Sequence, residues 1–301
     1  MTSLATLAAR LNALCDPHPF HVGWYLKDLS SGESANRHGD EIVPSASTRK
    51  IAILMTALRA VAAGTLSLEQ PVTIEARYQV SRSGTFQHFR PGFSLTLHDV
   101  LTMMIIVSDN ACTGTVADLL GLDTINEFSR AAGMRGTTHR EGIPAGSRLD
   151  RTASEGGPGA VPGAVPGAVN ETTPADVGLL LELILRGADD SDGAARLGCT
   201  PELCRLALDI LSWQKLNTRL PFLLPLGTRV AHKTGTNDDC YNDAGIIYRG
   251  DRPRFILTVY TYRVPRELPE GASPWGVTAA PGATALLIAH LARTCWDTLP
   301  A

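Results

Sequence analysis

Strand-like segments stand at the two ends of this chain and helical segments between them, and that placement constrains the fold most. Near the start, Val22, Trp24 and Leu26 alternate with polar or small neighbours before the turn "SSGE". This pattern predicts a two-stranded hairpin. Near the end, "TRVAHKTGT", "NDAGIIYRG" and "RFILTVYTYR" read as strands with turn residues between them. Helices flank both groups: Leu4, Leu7, Leu11 and Leu14 recur at helical spacing, and "GATALLIAHLARTCWDTL" closes the chain. The economical arrangement pairs the two ends in one antiparallel sheet, covers it with the terminal helices and inserts an all-helical domain. The expected class is α/β of the α+β type. Residues 1–44 and 212–301 would form the sheet domain, and residues 45–211 the helical domain.

The middle supplies the helices. One runs from residue 47 to about 63, where Gly64 stops it. "TLHDVLTMMIIVSDN" is entered through Thr96, "NACTGTVADLLG" ends at Gly121, and "LDTINEFSRAAG" also closes on a glycine. "TTPADVGLLLELILRG" has Thr173 as a cap and Pro174 at the first helical position, and residues 201–212 are again helical. Between these lies "TASEGGPGAVPGAVPGAV", residues 152–169, in which Pro-Gly-Ala-Val occurs three times. Such a run is neither helix nor central strand; at this length it is a functional or mobile loop.

The totals exclude several partners. The chain has 301 residues, 44% of them hydrophobic and 19% charged, enough apolar material for a sizeable core. A net charge of -3 and a pI near 6.2 give no basic face, so no nucleic acid is expected. No apolar run approaches the roughly 20 residues that span a bilayer, so no membrane partner is expected. The N-terminal stretch lacks a basic region and is no secretory signal, which leaves a cytoplasmic protein or the mature form of an exported one. The six cysteines (Cys15, Cys112, Cys199, Cys204, Cys240, Cys295) show no C-x-x-C pair and no Cys/His zinc spacing. They read as buried or partly buried free thiols, which fits a reducing compartment; no metal or organic cofactor is expected.

Chemistry enters at "SASTRK". Ser47 and Lys50 are three positions apart at the mouth of an apolar helix, on one face and within side-chain reach. A serine hydroxyl is a poor nucleophile without a base. A buried lysine beside other cations can lose its charge and act as base or relay, and the helix N-terminus suits an oxyanion. S-x-x-K alone is weak, since about one match arises by chance in a chain of this length. Two further triplets strengthen it: "SDN" (Ser108, Asp109, Asn110) and "KTG" (Lys233, Thr234, Gly235). They follow in the order known for penicillin-interactive serine enzymes.

By these motifs the chain resembles the class A beta-lactamases, within the serine beta-lactamases and penicillin-binding proteins, over nearly its whole length. The resemblance implies Ser47 as acylated nucleophile, Lys50 as proton relay and Ser108 as the donor to the leaving lactam nitrogen. It implies that Asn110 binds the substrate's amide side chain and that Lys233 and Thr234 receive its carboxylate. Gly235 would let the substrate approach the strand, and the N–H groups of Ser47 and Thr236 would form the oxyanion hole.

The pattern departs from the family in one loop. Class A enzymes hydrolyse the acyl-enzyme with a glutamate two positions beyond an R-L-D-R-like stretch. "RLDR" is present as Arg148–Arg151, but Ala153 stands where the glutamate belongs. Glu155 is the one carboxylate in 152–169 and the candidate replacement; four beyond it, where the family has asparagine, stands Gly159. At the loop's exit, "NETTP" matches the family, and Glu171 is expected to pair with Arg151 or, like Asn170, to reach the site. The family's arginine beyond K-T-G is absent from "NDAG", where Ala244 stands, leaving Arg219 or Arg229 as substitutes. His232 reads as a strand residue.

The expected function is a serine hydrolase that opens beta-lactams, acting as a monomer on a small-molecule beta-lactam or peptidoglycan-like substrate. Two alternatives stand beside it: a DD-peptidase or esterase-like hydrolase, and a penicillin-binding sensor that traps the acyl group without turnover.

Overall fold

A computed structural model describes residues 3–79, 83–143, 170–271 and 274–300. In chain order its elements are α1 (Leu4–Cys15), β1 (His21–Asp28), β2 (Ser34–Arg37), β3 (Val43–Pro44), a 3₁₀ turn (Ala46–Arg49), α2 (Lys50–Ala62), β4 (Pro71–Thr73), β5 (Ser94–Thr96), α3 (Leu97–Ile106), α4 (Asn110–Leu120) and α5 (Leu122–Ala131). After these come β6 (Glu171–Thr172), α6 (Pro174–Asp189), α7 (Ser191–Arg196), α8 (Pro201–Ser212), β7 (Val230–Thr236), β8 (Tyr241–Arg249), β9 (Arg252–Tyr262) and α9 (Ala280–Thr298).

The two chain ends meet as the sequence predicts. The main sheet has the order β2-β1-β9-β8-β7, and every pair in it is antiparallel. Trp24 of β1 lies opposite Val259 of β9, and Leu26 opposite Leu257. Alternation along β9 sorts its side chains into two cores. Phe255, Leu257 and Val259 join Leu7 and Leu11 of α1 and Leu287, Ile288 and Leu291 of α9. Ile256 and Tyr260 join the helices of the chain's middle, including Ile51 and Leu54 of α2 and Leu180 and Ile184 of α6. Each such aliphatic side chain, fully buried, contributes roughly 1.5–3 kcal/mol.

The caps fall where the sequence puts them. Thr96 accepts from Asp99 N at the start of α3, and Thr173 accepts from Asp176 N with Pro174 opening α6. The helix expected from residue 47 begins differently. Ser45 O accepts from both the backbone N–H and the hydroxyl of Thr48, so the entry winds as a 3₁₀ turn before α2 starts at Lys50. The short pairings β3–β6 and β4–β5, and α7, lie outside the sequence reading. Their runs of two to six residues are too short for a periodic pattern to register. Among the described residues no helix is long and apolar enough to cross a membrane.

Candidate active site

The site lies where the 3₁₀ turn, the α3–α4 junction and β7 converge. β7 has two faces. Val230 points into the α1/α9 core and Ala231 into the other, so Lys233 and Gly235 share Ala231's face toward the 3₁₀ turn. A Cβ on Gly235 would meet Ser45 O and Thr48 Cγ2 at 3.1 Å and Ala46 Cβ at 3.2 Å. The glycine therefore lets the strand lie against the turn that carries Ser47. That contact is a packing reason for the residue, separate from any approach of substrate.

Ser47 is half-buried in this turn. The residue before it, Ala46, has φ +44°, and Ser108 at the α3–α4 junction has φ +58°. Both are in the left-handed region, which costs a non-glycine residue about 1–2 kcal/mol, and residues so held cluster at functional sites. Tertiary bonds hold them there. Tyr260 Oη donates to Thr48 Oγ1 at 2.9 Å, and Ser108 O accepts from Lys50 Nζ at 2.8 Å and Ser83 Oγ at 3.2 Å.

Lys50 is fully buried, and its Nζ lies 3.1 Å from Ser108 Oγ and 2.9 Å from Asn110 Oδ1. Burial, with Lys233 and Arg49 nearby, pushes its pKa well below the usual lysine value. Asp109, between its two partners, caps α4 by accepting from Cys112 N at 3.1 Å. It also accepts from Thr85 N at 2.6 Å and Phe86 N at 2.8 Å. The structure thus brings Lys50, Ser108 and Asn110 of the expected set into direct contact, with Asp109 as their backbone brace.

Lys233 is equally buried, and its Nζ donates to Thr234 O at 2.8 Å. Burial lowers its pKa to about 7, assisted by Arg219 and opposed by Asp243. Of the two arginines left open by the sequence, Arg219 lies at this strand. It donates to Gly235 O at 2.8 Å, Asn242 O at 2.5 Å and Thr236 Oγ1 at 2.6 Å. Arg229 instead bonds Ser212 Oγ and Asp209 on α8. His232 points to the opposite face, where its Nδ1 is 2.9 Å from Asp243 Oδ1 and its Nε2 is 3.0 Å from Asn217 Oδ1.

A third group went unrecognised in the sequence. Arg49, next to Lys50, is buried and donates to Glu141 O at 2.6 Å and Gly142 O at 2.9 Å. Ser45 N and Oγ both donate to Asn170 O at 2.9 Å. Thr138 and Glu171 exchange backbone bonds, and Arg140 pairs with the Glu171 carboxylate. The partner expected for Glu171, Arg151, lies outside the described residues, as do Glu155, Ala153, Gly159 and the Pro-Gly-Ala-Val repeats. Asn170 Oδ1 accepts from Arg140 N and Glu141 N, so its side-chain oxygen serves this neck. The available signal for Arg49 was its place two residues after Ser47, which turns it to another side of the helix start than Ser47 and Lys50.

A family model described as the beta-lactamase enzyme family matches residues 6–299. The chain belongs to that family. Among solved structures, a beta-lactamase from Sphaerobacter thermophilus DSM 20745 is similar at 25% identity, with a TM-score of 0.79 and 100% of each chain covered. PBP-A is similar at 26% identity and a TM-score of 0.77, covering 98% of this chain and 96% of that one. A mutant of PBP-A in an acyl-enzyme complex with penicillin G matches at 26% identity and a TM-score of 0.75, with the same coverage. A reconstructed ancestral class A beta-lactamase, 22% identical with a TM-score of 0.76, shares the fold over 97% of this chain and 100% of its own. No curated protein matches the chain. The beta-lactamase fold accounts for the antiparallel sheet built from both chain ends and the helices around it.

Proposed function

We propose that this chain is a serine hydrolase that opens beta-lactam rings through an acyl-enzyme at Ser47. The observation that carries the reading is the Lys50 amine. It is buried, its pKa is lowered well below the usual lysine value by burial and by the nearby Lys233 and Arg49, and it is in contact with Ser108 Oγ and Asn110 Oδ1, one turn after Ser47. A neutral amine has a lone pair to take the Ser47 proton as Oγ attacks the lactam carbonyl. The proton then passes from Nζ to Ser108 and on to the lactam nitrogen as the C–N bond breaks. Backbone N–H groups of Ser47 and Thr236 receive the oxyanion, and Asn110 binds the amide side chain of the substrate.

The carboxylate of the substrate goes to the strand side. A lysine ammonium has three donors, and among the described residues Lys233 uses one, on Thr234 O. Its remaining donors, the Thr234 hydroxyl and the charge of Arg219 form the anchor, with Gly235 keeping the strand close to Ser47. For deacylation we assign Glu155 as the water-activating base, because it is the one acid in 152–169. Glu155→Gln should then leave acylation intact and let an acyl-enzyme accumulate; an unchanged deacylation rate removes Glu155 from the mechanism.

A second reading, acylation with little or no turnover, is favoured by Ala153 at the family's glutamate position and by the similarity to PBP-A. A chromogenic cephalosporin separates the readings. Steady turnover supports a beta-lactamase, a single stoichiometric burst supports a trap, and no reaction points to a peptidase or esterase substrate.

A further inference from the structure

Two of the six cysteines stand away from the site at the start of α8. Thr200 caps this helix by accepting from Leu203 N, and Pro201 is its first residue. Cys199 therefore precedes the cap and Cys204 is the fourth helical residue. At these two positions apolar side chains commonly pack together across a helix start. Here the pair is two thiols, 9% and 0% exposed. Their backbone setting draws them together. Cys199 N donates to Ala194 O, while Cys204 Sγ sits against Gly187, where an added Cβ would come within 2.8 Å of the sulfur and 3.2 Å of Ala194 Cα. Hydrogen bonding between the two thiols raises the Cys199 pKa and lowers that of Cys204.

We propose that Cys199 and Cys204 form an oxidisable dithiol site that closes to a disulfide across the start of α8 when a small hydroperoxide reaches it. The Cys204 sulfur attacks a peroxide oxygen as its proton passes to the departing oxygen, the O–O bond breaks and water leaves, giving a sulfenic acid. The Cys199 sulfur then loses its proton and attacks the Cys204 sulfur, the S–O bond breaks and water leaves. The net change is two thiols and hydrogen peroxide to one disulfide and two waters. Closure ties α8 to the segment before it and restricts the unfolded chain. The beta-lactam site takes no part, so activity is retained.

The test treats the folded chain with hydrogen peroxide, removes the oxidant, then denatures and alkylates without reductant. Peptide mapping should find one cross-link, between Cys199 and Cys204, with alkylatable thiols falling from six to four. The midpoint of thermal unfolding should rise by about 2–5 °C and return on reduction with dithiothreitol. Cys199→Ala should leave Cys204 as a dimedone-reactive sulfenic acid without a cross-link. Six intact thiols, a cross-link between other cysteines, or oxidation of Cys199 or Cys204 without closure in the unsubstituted chain would each overturn the proposal.

Discussion

Lys50 at the start of α2 and Lys233 on β7 are equally buried and differently supplied. On the helical side, Nζ of Lys50 is surrounded by Ser108 O, Ser108 Oγ and Asn110 Oδ1. On the strand side, Lys233 has Thr234 O, with Asp243 and Arg219 as the charges that act on it. The helical lysine is fixed in position by its own protein, and burial and neighbouring cations lower its pKa well below the usual lysine value. The strand lysine keeps donor capacity for something from outside. Burial is therefore common to the two lysines, and what differs is how many oxygens each already has in reach.

The largest test of that contrast is removal of the proposed nucleophile. Ser47→Ala should abolish the covalent adduct with benzylpenicillin by intact mass, and an adduct that persists places the nucleophile elsewhere. Next, Lys50→Ala should slow acylation by on the order of a hundredfold or more, the scale of a lost general acid–base partner. Normal acylation in this variant would reduce Lys50 to a structural residue. Lys233→Ala should act mainly on KM, raising it by about tenfold or more with a smaller change in kcat. A pure kcat effect would erase the distinction between the two lysines.

The pH dependence sharpens the same contrast. Lys233 has a pKa of about 7, against an ordinary 10.5. The charged anchor is lost as pH rises through 7, so KM for a carboxylate-bearing substrate should climb above that pH, and the climb should vanish in Lys233→Ala. For stability the sign is opposite. Between pH 7 and 10.5 the unfolded chain holds the proton that the folded chain has released, so stability should rise with pH across that window. Lys233→Met should accordingly raise the thermal midpoint at neutral pH while impairing binding, a trade of function against stability. A lowered midpoint would mean that the Lys233–Thr234 bond outweighs the burial of the amine.

The smallest effect is expected at the neck. Glu171→Gln should lower the thermal midpoint by about 1–3 °C, because its partner Arg140 is partly exposed and such pairs contribute on the order of 1 kcal/mol or less. Acylation should hardly change. A large loss of acylation would mean that the neck sets the position of Ser47 through Ser45 and Asn170.

Much of this molecule follows from short-range pattern. Alternation in β1 and β7–β9, the Thr96 and Thr173 caps and the glycine at position 64 are consequences of neighbours within a few residues, and such signals survive in one dimension. Ser47 and Lys50 are legible for the same reason, being three apart on a helix start. The joining of that pair to Ser108 and Asn110 was legible through the order of the motifs, but the contacts at 2.8–3.1 Å were set by how α2 packs on the α3–α4 junction. Only the tertiary structure decided that Arg140 engages Glu171, that Arg219 and not Arg229 lies along β7, and that Gly235 is small because the 3₁₀ turn rests on it. The choice between Arg219 and Arg229 shows why: both are arginines in one connecting segment, equally able to reach a strand on paper. Their charges carry no sequence mark of which will be buried, because burial depends on surfaces contributed by β7 and β8, beyond the reach of any local rule.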